Sequence, residues 1–211
     1  MKGMFRSAAA LGLVAIAGTA LLTGVDRLTE DRIAEQERRV ILQQLGQIIP
    51  EHYDNEILDD RISLRDEAYF PNGQEVTAYR ARLGGAPLAV VLKLKAVNGY
   101  NGDINMLAGI NFDGSMRGVR IISHKETPGL GDAIESEKSD WLLDFSGKSL
   151  GQPAPDKWAV KREGGVFDQF TGATITPRAV VDAVRLALEY FQANREMLFD
   201  QAADAAGSNP R

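Results

Sequence analysis

No cysteine occurs among the 211 residues. That absence excludes disulfides, thiolate zinc sites, iron–sulfur clusters ligated by this chain and cysteine nucleophiles. It leaves the compartment open, because a cysteine-free chain survives on either side of a membrane. Histidine is nearly as scarce: only His52 and His124 are present, so no metal centre is expected. A basic cluster interleaved with aromatics is also missing. The formal net charge is −5, of which Lys2 and Arg6 in the first 25 residues contribute +2, leaving −7 on the remainder. An acidic body argues against nucleic acid as a partner. No constellation supplies a general acid, base or nucleophile, so no catalytic residue is assigned. Redox chemistry in such a chain needs an organic cofactor.

What is present begins with one long apolar run. Ser7 to Val25 holds 19 uncharged residues, enough as a helix to span roughly 28 Å, close to the hydrocarbon thickness of a bilayer. Lys2 and Arg6 precede it and no acid comes before Asp26, so the positive-inside rule puts the N-terminus in the cytoplasm and the rest beyond the membrane. A cleavable signal peptide is the competing reading, since Ala15-Ile16-Ala17 resembles a small-residue cleavage site. A cut there would fall inside the apolar run, and a single-pass anchor through residues 7–25 is the expectation.

Asp26 to Ile49 carries Leu28, Ile33, Val40, Ile41, Leu45 and Ile48 at roughly helical spacing, which predicts an amphipathic helix ending before Pro50. Glu51 to Asn72 is polar and reads as a connection. From Glu75 the period becomes two. VTAYRARL and PLAVVLKLKAV flank Gly84-Gly85, and Ile104–Phe112 and Met116–Ile122 flank Asp113-Gly114, predicting four antiparallel strands. A short helix is expected over Glu135–Phe145 and a possible strand over Lys157–Lys161. Pro177–Leu198 shows the clearest helical stripe, Val180, Val181, Val184, Leu188 and Phe191. The expected fold class is α+β, an antiparallel sheet with helices packed on one side, plus one N-terminal transmembrane helix. The domain plan is residues 1–25 for the cytoplasmic tip and anchor, 26–72 for helix and connection, 73–198 for the main domain and 199–211 for a flexible tail.

Two glycine-bearing loops stand out. FDQFTGATITPRAVV places Thr171, Gly172, Ala173 and Thr174 just ahead of the last helix. Pro177 suits a first helical turn and Thr176 then reads as its N-cap. Capping and a turn at Gly172 need neither Thr171 nor Thr174. A phosphate at the helix N-terminus would use unpaired N–H donors and the positive dipole end. From the residues alone both accounts stand. The other loop, HKETPGLGD, combines Glu126 and Thr127 with a Pro128-Gly129 turn, Leu130 and Gly131, either a structural turn or a backbone that approaches a ligand closely.

TGAT at Thr171–Thr174, with Asp168 three residues before it, resembles the flavinylation motif of FMN-binding domains. HKETPGLG and the upstream GYNGDI resemble that domain's other signature loops. With the N-terminal anchor and the length, the whole chain resembles the G-subunit family of Rnf electron-transport complexes, relatives of the C subunit of sodium-pumping NADH:quinone oxidoreductase. The resemblance implies FMN joined through its phosphate to the Thr174 hydroxyl, installed after translocation by a separate flavin transferase that uses FAD. It implies a single-pass protein of the bacterial inner membrane with a periplasmic soluble domain. Its partners would be other membrane subunits of the complex, which couples ferredoxin and NAD chemistry to ion transport. The chain would be a redox subunit of a translocase rather than a stand-alone catalyst. Thr171, Gly172, Ala173 and Thr176 would border the cofactor. Glu126, Thr127, Gly129, Leu130 and Gly131 would contact its phosphate and ribityl chain, and Tyr100 would lie near its ring. The competing readings are a flavin-free anchored scaffold and a periplasmic reductase acting alone.

Overall fold

The computed structural model describes Gly12, residues 18–19, 35–36, 38–49 and 52–204. Apart from Gly12, Gly18 and Thr19, the expected anchor lies outside the described residues, as does the tail beyond Asp204. Among the described residues no helix is long and apolar enough to cross a membrane. The chain divides into two compact units, Met1–Gln43 and Gln44–Arg211. Described residues of the first are helical, and Arg39 pairs with Glu35 one turn back at 3.0 Å. The helical stretch ends at Gly46 rather than at Ile49. Ile48 and Ile49 instead turn back to bond the Leu45 carbonyl at 2.9 and 2.8 Å.

The second unit is built on five strands in a meander of order β1-β2-β3-β4-β5. They are β1 Arg61–Leu64, β2 Val76–Leu83, β3 Ala86–Gly99, β4 Gly102–Asn111 and β5 Met116–Ser123, all paired antiparallel. Four match the alternating segments. The fifth, β1, corrects the reading of 51–72 as a plain connection. It has four residues with only Ile62 and Leu64 buried, and two apolar positions are too few to show a period. Arg61 and Arg65 at its ends are the charges that keep a short edge strand from pairing further.

Alternate residues of the strands face one long helix, α1, Ile175–Asp200. Val90, Leu92, Leu94, Met106, Ala108 and Ile110 share a buried cluster with Val180, Val184, Ala187, Leu188 and Phe191 of α1. The opposite face of the sheet is also covered. Leu45, Ile48, Ile49, Ile57 and Leu58 are buried outside that cluster, and Ile48 fills the space where a side chain at Gly109 of β4 would lie. Gly109→Val should therefore collide with Ile48 Cγ2, although valine suits strand backbone. Overpacking of this kind costs about 1–3 kcal/mol and should lower the melting temperature by several degrees. An unchanged melting curve would mean that the 45–49 turn does not seat on β4.

Between β5 and α1 the chain is irregular, and two expectations give way here. Residues 135–145 are not one helix. Gly131–Ile134 and Trp141–Phe145 form separate 3₁₀ turns, because the Ser139 hydroxyl donates to the Ala133 carbonyl and accepts the Trp141 N–H. Such a side chain competes with helical backbone bonds. Lys157–Lys161 is not a strand either; only Val160 bridges to Phe167, in parallel. The segment is held by rings instead. Phe145 stacks on Phe167 at 4.5 Å, Trp158 lies 5.2 Å from Phe167, and Trp141 meets Phe170 edge-on at 5.2 Å. Trp141 Nε1 also donates to the Asp168 carbonyl at 2.8 Å. This wedge fixes the backbone that leads into Thr171.

Two arginines of β2 close the far end of α1. Arg80, buried, donates to the carbonyls of Leu198 at 3.0 Å and Gln201 at 2.6 Å and pairs with Asp60. Arg82 donates to the Phe199 carbonyl at 2.7 Å and to Asp60 at 2.7 Å. The last carbonyls of a helix lack intrahelical donors and carry the negative dipole end, so cations there satisfy both needs.

Candidate functional site

At the other end of α1 three chain segments meet. The first is the loop after β5. Thr127-Pro128-Gly129-Leu130 makes a turn closed by the Leu130 N–H on the Thr127 carbonyl at 3.1 Å, with Gly129 at φ +77°. Proline second and a left-handed glycine third are what a type II turn requires. The second segment is Phe170–Ala173, closed by the Ala173 N–H on the Phe170 carbonyl at 3.1 Å, with Gly172 at φ +81°. The third is the hairpin between β3 and β4, which holds Tyr100 and Asn101.

Glu126 joins all three. Its carboxylate is buried at 4 % exposure. It accepts the backbone N–H of Tyr100 at 3.3 Å, that of Asn101 at 3.0 Å, and the Thr176 hydroxyl. The Asn101 amide adds a bond to the Thr127 hydroxyl at 3.1 Å. The junction is tight enough to need glycine: a Cβ on Gly131 would lie 2.8 Å from Thr176 Oγ1 and 3.0 Å from Glu126. One sequence expectation changes. Thr176 is not the N-cap, because α1 begins at Ile175 with Thr174 in the cap position. The Thr176 hydroxyl is spent on Glu126. Glu126 in turn accepts three protein donors while lining the cavity beside it.

A cavity of about 290 Å³ opens beside this junction, lined by Tyr100, Glu126, Thr127, Leu130, Gly131, Gly172, Ala173, Thr174, Ile175 and Thr176. Nine of the eleven residues singled out in the sequence thus line one space. Gly129 supplies the turn behind it, and Thr171 lies exposed on the other turn. Sequence reasoning misses Ile175 and Asn101: Ile175 lies ahead of the expected helix start, and Asn101 is one residue of GYNG. The floor of the cavity is polar. Its rim is not, since Tyr100, Leu130 and Ile175 are 66 %, 44 % and 41 % exposed. Thr174 makes no side-chain cap bond, so its hydroxyl is uncommitted among the described residues. No acid sits in the first turn of α1, and the N–H groups of Ile175 and Thr176 have no intrahelical acceptor. A larger cleft, about 460 Å³, lies beyond Ile175 between β3 and α1 and contains none of the residues singled out in the sequence.

Behind Glu126 a polar network braces the loop. His124 Nδ1 accepts the Glu126 N–H at 3.0 Å, which leaves Nε2–H to donate to Glu135 at 3.0 Å. Lys138 bonds Asp132 at 2.7 Å and Glu135 at 2.8 Å. The Lys138 hydrogen bond, with a Gly129 N–H, holds the Asp132 carboxyl below its usual range, and Lys138 likewise lowers Glu135. Their ion pairs raise Lys138. Depressed carboxylates contribute stability above their unfolded value of about 4 and lose it as pH falls through the lower folded value. Lys138 contributes fully below its unfolded value of about 10.4 and loses that as pH rises through a higher folded one. The Gly129 amide resonance should therefore titrate with an acid midpoint below about 4; a midpoint at or above that value would show that the Asp132 contact does not persist in solution.

The FMN-binding domain model matches residues 99–189, which contain all three segments, and the RnfG N-terminal region model matches residues 1–48. The G subunit of the ion-translocating oxidoreductase complex of Pseudomonas aeruginosa strain UCBPP-PA14 is 48 % identical over 98 % of this chain and 96 % of its own length. The proteins of the same name from Shewanella loihica and Vibrio cholerae are 42 % and 40 % identical, over 96 % and 93 % of this chain and 96 % and 94 % of their own lengths. The chain belongs to the family of ion-translocating oxidoreductase complex G subunits.

Proposed function

We propose that this chain is a membrane-anchored electron-transfer subunit that carries FMN as a phosphoester on Thr174 within an Rnf-type ion-translocating complex. The observation that carries the reading is the uncommitted Thr174 hydroxyl at the head of α1, in a cavity with a polar floor and an apolar rim. Family membership and the FMN-binding domain match support the same cofactor and complex. An amphipathic nucleotide fits such a lining. The helix N–H groups suit a phosphate, and Leu130, Ile175 and Tyr100 offer apolar surface to a ring system. At about 290 Å³ the cavity is at the small end for ligand sites, so it encloses only part of such a molecule and leaves the rest open to redox partners.

Attachment by a flavin transferase balances with FAD as donor. The Thr174 oxygen forms a bond to the FMN-side phosphorus, the P–O–P bond breaks, AMP leaves, and the hydroxyl proton passes to solvent. FMN supplies reversible electron uptake. This chain's own residues supply position: Gly172 and Ala173 keep the approach to Thr174 narrow-sided and accessible, and Glu126 locks the three segments together. The remaining parts of the reading are the anchor through residues 7–25, a cytoplasmic N-terminus, a periplasmic domain over residues 73–198, and neighbouring Rnf membrane subunits as electron donors and acceptors. The test is the intact mass of the protein purified from its membrane, followed by mapping of the tryptic peptide Glu163–Arg178. An addition of FMN less water on Thr174 is expected. An unmodified mass from a host that flavinylates related proteins would replace this reading with a flavin-free scaffold.

A further inference from the structure

We propose that the Glu126 carboxylate selects by charge, admitting a singly charged phosphodiester on Thr174 and rejecting a free, doubly charged phosphate monoester. The inference rests on the flavin reading above and assigns a specificity role within the same cavity. Glu126 sits buried in the lining that also contains Thr174. Each of its oxygens receives a backbone N–H, from Tyr100 at Oε2 and from Asn101 at Oε1. Backbone N–H groups only donate, so both carboxyl oxygens act as acceptors.

That placement leaves the helix N–H groups free but offsets part of what this junction offers an anion. The Thr176 hydroxyl and two nearby backbone donors are committed to Glu126, and its negative charge already balances the positive end of the α1 dipole. A phosphate monoester carries about −1.5 to −2 at neutral pH, whereas a diester has lost its second ionisable oxygen and carries one charge. Beside a desolvated carboxylate the extra charge weakens binding by a factor on the order of ten. The covalent bond then does what affinity does not, holding an FMN that the cavity would otherwise release. The apolar rim makes no such distinction, because riboflavin and FMN share the ring.

The experiment uses the full-length chain carrying Thr174→Ala, alone and combined with Glu126→Gln or Glu126→Asp, titrated at neutral pH with riboflavin and with FMN by flavin fluorescence. Glutamine keeps the Asn101 bond through its oxygen and can donate to Thr176 through its nitrogen, giving up only the longer Tyr100 bond. The expected result is that Thr174→Ala binds FMN more weakly than riboflavin. Adding Glu126→Gln should strengthen FMN binding roughly five- to tenfold with riboflavin unchanged, and Glu126→Asp, which keeps the charge, should still reject FMN. Equal FMN-to-riboflavin ratios with and without Glu126→Gln would overturn the proposal, as would a Gln variant that takes up no FMN. If the wild-type chain carries no added mass on Thr174, the flavin reading falls first. If it does and the ratio stays put, only the charge selection falls.

Discussion

Alanine at Thr174 is expected to leave a folded protein with no covalently held flavin. The hydroxyl it removes caps no backbone group, and the side chain is only partly buried. The change in stability should therefore stay within about 0.5 kcal/mol, as for surface substitutions away from special contacts. In-gel flavin fluorescence should vanish completely, since no other hydroxyl stands in the same place. Thr176, two residues on, gives the contrasting case. Its hydroxyl is buried and bonded to Glu126, so Thr176→Val leaves a buried carboxylate short of a donor at a cost of about 1–3 kcal/mol. Fluorescence that persists in Thr174→Ala, or a loss of fold in that variant as large as in Thr176→Val, would remove Thr174 from the role given to it.

Arg80→Met should be the most damaging single change in the sheet. The Arg80 side chain is 2 % exposed and paired with Asp60, and it serves the Leu198 and Gln201 carbonyls at the end of α1. Methionine fills much of the volume but donates nothing. Two helix-end carbonyls then lose their donors, and Asp60 keeps only Arg82 and Asn55. Removing one partner of a buried pair costs about 3–5 kcal/mol, a large share of the roughly 5–15 kcal/mol that holds a typical domain together. Urea unfolding reads this directly as a lower midpoint. Lysine should not rescue it, because one ammonium cannot reproduce the fork that reaches two carbonyls and a carboxylate. A loss below about 1 kcal/mol would mean that the pair behaves as a surface ion pair.

The strands β2 to β5 are legible in the sequence because each is a largely apolar segment of eight or more residues, and Gly84-Gly85 and Asp113-Gly114 mark two of the turns between them. The helix stripe from Val180 to Phe191 is legible by its period of 3.6. What the sequence hides is decided by distant partners. Thr176-Pro177 satisfies the local rule for a helix start, yet Glu126, fifty residues away, takes the hydroxyl, and the helix begins at Ile175. Glu135–Phe145 has helical composition, but the Ser139 side chain bonds backbone on both sides. The cavity residues stand out by their glycines and hydroxyls. That Glu126 faces inward does not, because nothing in HKETPGLG shows that the N–H groups of Tyr100 and Asn101 converge on it.

Every strand of the meander pairs with its neighbour in the chain, so the sheet assembles through short loop closures of low contact order. The helix does not share that advantage. Its anchoring bonds join positions 118 and 50 residues apart, Arg80 to Leu198 and Glu126 to Thr176, and long closures come late because their entropy cost is met before their contacts form. The second of these bonds, two residues from Thr174, ties the head of α1 to the cavity that Thr174 lines. On the proposed reading, a modifying enzyme that recognises this arrangement would find no acceptor in a half-folded chain, and a flavin on Thr174 would mark molecules that have completed their fold.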